Sequence, residues 1–154
     1  FPWGRVLKFV LKAGGKYSCV LCRSGMFRVA EIVCEREGAA GIVTGESIGQ
    51  KASQTIWNLS VTSGRIKFPI IRPLLCSDKV EVVEMSKRLG LWQEVHAGCC
   101  YATPRHPTTK ARKDIVSTIE KKIGLESLIS QEFKNILESH DFSEDLRRFL
   151  DASA

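Results

Sequence analysis

Apolar residues recur at helical spacing through the first part of the chain, then gather into short runs. The stretch RVLKFVLKAGG, inside Phe1 to Gly15, has the spacing of an amphipathic helix that ends on glycines. From Ser18 to Gly38 the stripe Phe27, Ala30 and Cys34 runs beside Met26, Val29 and Val33. That spacing predicts a second helix, with Gly38 as its carboxyl-terminal cap. Ala39 to Val43 is a short apolar run that fits a strand buried on both faces. Ala52 to Leu59 reads as a short helix, and FPIIRPLL, Phe68 to Leu75, as a second strand with prolines near its ends. Asp78 and Glu81 form a capping-box pattern before VEVVEMSKRLG, which Gly90 ends. Lys113 to Ile123 and Leu125 to Leu137 predict two more amphipathic helices, and Ser143 can cap a last short one.

The centre therefore reads helix, strand, helix, strand, helix. This alternation predicts an α/β fold with parallel strands joined by right-handed crossovers. Two strands make a poor sheet, so further strands are expected in sequence outside these 154 residues. The first residue is Phe, which points to a start that lies elsewhere.

Composition changes this picture little. The chain is 44% hydrophobic and 26% charged, as soluble globular domains are. No run approaches membrane-spanning length and no signal-peptide pattern is present, so no membrane partner and a cytoplasmic location are expected. The net charge of +6 suits a polyanionic partner such as nucleic acid. Without a secretory signal the six cysteines read as intracellular thiols or metal ligands. Cys34, in a helical stripe, and Cys76, beside a strand, read as buried small hydrophobes.

The most distinctive stretch is GIVTGESIGQKASQT, Gly41 to Thr55, where an apolar run turns into hydrogen-bonding side chains. In open parallel sheets ligands bind at the carboxyl ends of strands, which is where GESIGQKASQT sits. Gly45 lets the backbone approach a ligand, Gly49 serves the next bend, and Ser53 can cap the following helix. Gln54 can read donor and acceptor edges of a base. Glu46 can position a substrate or a metal, or cap the helix at Ser53. A polar loop that merely caps its own helix is the plainer alternative.

VTGESIGQKASQTIWNL, PIIRPLLCSDKVEVVEMSKRLG, the pair CC and PRHPTTK together resemble the tRNA 4-thiouridine synthases, the ThiI-type sulfurtransferases. KYSCVLCRSGMFRVAE resembles the version with a CxxC that is common in archaeal members. The resemblance covers about Lys16 to Lys122. It implies an ATP-pyrophosphatase (PP-loop) domain of the adenine-nucleotide α-hydrolase type, its carboxyl-terminal part over 1–112 and a helical extension over 113–154. It implies that ATP, with magnesium, adenylates a tRNA uridine oxygen and releases pyrophosphate. A sulfur nucleophile then displaces AMP and leaves 4-thiouridine. The positions matching the nucleotide contacts are Arg23, Gly45 and Gln54. The partners implied are tRNA and a sulfur donor, a cysteine desulfurase or sulfide. A missing amino-terminal half or a homodimer partner would complete the enzyme. The family's SGGxDS phosphate loop has no counterpart here, so the chain alone is not expected to turn over ATP. A degenerate relative that binds a metal or tRNA without catalysis is the second reading.

Cys19 and Cys22 stand one helical turn apart, on one face. A CxxC serves zinc, a redox dithiol or an iron–sulfur cluster. With one of Cys99 and Cys100 it makes three thiols, which fit a cluster with an open iron better than a four-ligand zinc site. The metal set is then Cys19, Cys22 and Cys100, with His96 and His106 as candidate extra ligands. Alternatively Cys99 or Cys100 is the catalytic thiol and carries a persulfide. A dithiol oxidoreductase is a further reading, but it would need a strand directly before CxxC. Arg105, His106, Lys110, Arg112 and Lys113 form a basic stretch suited to tRNA phosphates. The tail from Leu125 reads as packing, without chemistry.

Overall fold

The computed structural model describes residues 1–92 and 100–136. His96, Cys99 and the helix expected after Ser143 lie outside them. The order is α1 (Trp3–Gly14), α2 (Ser18–Glu37), β1 (Ile42–Val43), α3 (Ile56–Ser63), β2 (Ile70–Ile71), α4 (Lys79–Arg88), α5 (Lys113–Ile123) and α6 (Leu125–Phe133). Short 3-10 turns, Gly15–Tyr17 and Ala52–Gln54, precede α2 and α3. The strands pair in parallel, Ile42 with Ile70 and Val43 with Ile71, and α3 lies between them in sequence. This is the α/β alternation expected. No helix of the described residues is long and apolar enough to cross a membrane.

Both strands are shorter than their apolar runs. Ile42 N donates to Pro69 O (2.9 Å) and Thr44 N to Ile71 O (3.0 Å). Pro69 and Pro73 have no N–H to extend the ladder, and residues 73–76 form a turn. The expectation that the first strand is buried on both faces is corrected. Ile42 is buried and Val43 is 69% exposed, because nothing among the described residues covers the Val43 side. Cys76 is corrected too: the turn after β2 leaves it exposed.

Helix α2 organises the rest. Its first half packs Val20 and Leu21 against Val6 and Val10 of α1, Val116 of α5, and Leu125 and Ile129 of α6. Its second half packs Phe27 and Cys34 against Ile42, with Ile66, Phe68 and Ile70 alongside. Cys34 is thus the buried small hydrophobe expected. Gly38 ends α2 in the left-handed conformation, φ 63°, its N–H on Cys34 O, as its position implied. The capping box is present: Val80 N donates to Asp78 (2.7 Å) and Asp78 N donates to Glu81 (3.1 Å).

The third helix starts later than its pattern suggested. Ser53 lies inside the 3-10 turn, and Thr55, extended at ψ 155°, is the true N-cap. Its hydroxyl oxygen accepts from Asn58 N (3.2 Å), and the same hydroxyl donates to Thr109 O (2.6 Å). The second bond ties the helix start to a distant segment, which local patterning cannot reveal.

Candidate active site

At the carboxyl ends of β1 and β2 one carboxylate gathers three segments. Glu46 is 1% exposed. Its Oε2 accepts from Arg72 Nε (2.7 Å) and from the Thr44 hydroxyl (3.2 Å). Arg23 Nε of α2 stands 2.9 Å from Oε1, an ion pair whose N–H is not aligned as a hydrogen bond. Arg72 also donates to the Ser63 hydroxyl, and both guanidiniums lie about 6 Å from the centre of the Phe27 ring. A buried carboxylate survives only if it is paired, and Glu46 is paired twice. It therefore neither caps a helix nor stands free for a metal: it positions two arginines.

Gln54 joins the same group. With its amide set to suit its neighbours, the nitrogen donates to Ser47 O (2.8 Å) and the oxygen accepts from Arg23 Nη2 (3.3 Å). Gly45 lies on the strand side of Glu46, and nothing stands within 4 Å of where its Cβ would be. Gly49 makes the bend, at φ 80°. Arg23, Gly45 and Gln54, picked out in the sequence, are thus brought together. Arg72, missed there, had one available signal: a charge directly after an apolar strand.

Asn58 was missed as well. It is fully buried, and its Nδ2 donates to Ala52 O (2.6 Å) and Thr108 O (2.8 Å) while its Oδ1 accepts from Ala111 N (2.8 Å). Thr108 N in turn donates to Lys16 O (2.9 Å). The basic stretch is in this way fastened across α3 and beside the ASQT turn.

On the other side of Arg23 lies a cleft of about 380 Å³, lined by Cys19, Cys22, Cys100, Thr103, Leu7 and Met26 among others. Three predicted thiols therefore share one space, while Cys99 lies outside the described residues. Burial pushes the Cys19 thiol above its usual range, against a hydrogen bond with Thr103 and with the charge of Cys100 adding to the rise. Burial raises Cys22 too, against the Trp3 indole, whose Nε1 donates to Sγ at 3.3 Å; Cys100 and Cys19 add to the rise and Arg23 opposes it. Among the described residues no three histidine, cysteine or carboxylate side chains are gathered to hold a single metal ion. The dithiol-oxidoreductase reading loses its context, because α1 and a 3-10 turn, not a strand, precede the CxxC.

A family model described as thiamine biosynthesis protein (ThiI) matches residues 2–125. The chain belongs to the ThiI family. It is 38% identical over 146 residues to a probable tRNA sulfurtransferase of Methanothermobacter thermautotrophicus, covering 93% of this chain and 38% of that protein. To the probable tRNA sulfurtransferase of Methanosarcina acetivorans it is 37% identical over 138 residues, covering 88% of this chain and 34% of the relative. This ThiI-family chain thus spans a little over a third of the length of these curated relatives. Its fold matches the crystal structure of a 4-thiouridine synthetase–RNA complex with bound ATP, with TM-score 0.68 and 36% identity. The match covers 77% of this chain and 32% of that one. The α/β architecture is therefore of the PP-loop type.

Proposed function

We propose that this chain is the carboxyl-terminal part of the catalytic domain of a tRNA 4-thiouridine synthase. Residues 1–112 belong to the ATP-pyrophosphatase domain, and a helical extension begins at Lys113, where α5 starts. The reaction is adenylation of a tRNA uridine oxygen by ATP, with pyrophosphate leaving, followed by displacement of AMP by sulfur. The observation that carries this reading is the meeting of Arg23, Gly45 and Gln54 around Glu46 at the strand ends, beside a cleft with three thiols. Gly45 leaves open space for a nucleotide to approach the backbone. Arg23, held by Glu46 yet partly exposed, can donate to phosphate, and Gln54 to a base or ribose. Magnesium would arrive with ATP.

Gly45→Ala separates ligand from fold. With nothing near its Cβ, the change is expected to move stability by less than about 0.5 kcal/mol while lowering ATP affinity at least tenfold. Gly41→Ala is the contrast: its Cβ would stand 2.9 Å from Pro69 O, so it loses stability. Titration of ATP against both variants checks this. Undiminished binding by Gly45→Ala, or a wild-type chain that binds no ATP, would overturn the nucleotide site.

Cys19, Cys22 and Cys100 would hold an iron–sulfur cluster. Three thiols lining one cleft fall short of the four ligands of a structural zinc site and suit a cluster with an open iron. When bound, it supplies a place to carry sulfur from a cysteine desulfurase or from sulfide. Protein prepared without oxygen is expected to contain iron and sulfide that Cys19→Ala, Cys22→Ala and Cys100→Ala each abolish and Cys76→Ala spares. Metal-free protein with reactive thiols would move the chemistry to a persulfide on Cys99 or Cys100.

A further inference from the structure

A second surface lies across α3, beyond the Asn58 clamp. Trp57 is 58% exposed, an unusual place for an indole in a chain with two apolar cores to fill. It lines a broad open cleft of about 900 Å³ between α3 and α5. Five cations line the same cleft, Arg65, Lys110, Arg112, Lys113 and Lys121, against one carboxylate, Asp114. Asp114 is spent on Arg112, with Nη2 to Oδ2 at 2.6 Å. Arg65 is anchored from below by Glu120, which is buried. Lys110 Nζ lies 4.6 Å from the centre of the Trp57 ring.

We propose that this cleft binds a single-stranded segment of RNA, with an unpaired base stacked on Trp57 and flanking phosphates on Lys110, Lys113 and Lys121. This rests on the reading that the substrate is a tRNA, and it adds the part of the protein that grips the strand. An aromatic ring set in a basic groove is the arrangement that holds unpaired nucleotides without regard to sequence. The excess of positive charge argues against an apolar protein partner, whose contact surface would be depleted of lysine. Position supports it as well. Lys110 belongs to the segment that Asn58 and Thr55 fasten beside the ASQT turn, so a strand held here is held at a fixed distance from Gln54.

The test is fluorescence anisotropy of a labelled 12-nucleotide uridine-rich RNA against the full chain, at several salt concentrations, with ATP binding measured in parallel. Trp57→Ala is expected to weaken RNA binding roughly tenfold, the size of one base stack, and to leave the salt dependence unchanged. Trp57→Phe is expected to recover most of that loss. Lys113→Ala and Lys121→Ala are each expected to reduce the slope of log affinity against log salt by about 0.7. ATP affinity is expected to be the same in all four, since none of these residues touches the Glu46 group. RNA binding that is indifferent to Trp57→Ala would overturn the surface and leave the tRNA reading intact. So would self-association of the wild-type chain that Trp57→Ala abolishes while leaving RNA affinity unchanged. A wild-type chain that binds ATP but no RNA would overturn the surface and count against tRNA as its substrate, while sparing the nucleotide site.

Discussion

Asn58→Leu is expected to destabilise the chain by about 3–5 kcal/mol, each buried group left without a partner costing roughly 1–3 kcal/mol. Leucine matches asparagine in bulk, so little cavity forms and the loss is electrostatic. Three groups lose their partner together: the carbonyls of Ala52 and Thr108 and the N–H of Ala111. Water can reach the first two more readily than Ala111, which is buried. Asn58→Asp would keep the bond to Ala111 and set a negative charge against two carbonyl oxygens, so it is expected to be no milder. Thr55→Ala, which removes an N-cap and the bond to Thr109, is expected to lose about 1 kcal/mol. Chemical denaturation of the three variants gives the ranking. Amide exchange at Ala111 should rise in Asn58→Leu before global unfolding does. Equal midpoints for Asn58→Leu and wild type would mean that the clamp is decorative.

Glu46→Gln is the second large effect, an expected loss of about 2–3 kcal/mol together with loss of ATP affinity. Removing one partner of a buried ion pair typically costs about 3–5 kcal/mol, because the remaining charge stays buried. Here Arg72 and Arg23 keep some exposure, 15% and 29% of their side chains, so the cost falls below that range. The neutral amide would still reach Arg72, but it cannot neutralise two guanidiniums. Arg23 is then free to swing, and Gln54 loses the neighbour that fixes its amide. Glu46→Gln combined with Arg72→Met is expected to recover part of the stability and none of the ATP affinity. Urea denaturation and ATP titration together distinguish this from a simple packing defect, in which the two readouts would recover in step.

Local chemistry explains which parts of this were legible in the sequence. The helix α2, the Asp78–Glu81 capping box and the left-handed Gly38 follow from spacing and from one residue's own conformational preferences, so they could be read directly. Gly45, Gln54 and Arg23 stood out through a motif, and the fold brings them to one place. Glu46 was singled out too, but its role was not, since nothing local announces that Arg72 will fold back onto it. The start of α3 was misread for the same reason: Ser53 and Thr55 are both good caps, and the choice is made by Thr109, far along the chain. Strand lengths were overread because apolar runs do not show where prolines will stop a ladder. Cys76 looked like a core residue beside a strand, and the turn at 73–76 turned it outward. Of the thiol pair, the described residues include only Cys100, and it is at the cleft.

Val6 and Val10 share their core with Leu125 and Ile129. That pairing sets an order of events during synthesis. Helices α1 and α2 emerge from the ribosome long before α6 exists, so the apolar face of α1 must wait, wet, for its partner. The strand pair and the Glu46 group can close first, since all their residues lie before Pro73. A nascent chain stalled before Leu125 would therefore carry an assembled Glu46 group on an unfinished body, with Val6 and Val10 of α1 still bare to water.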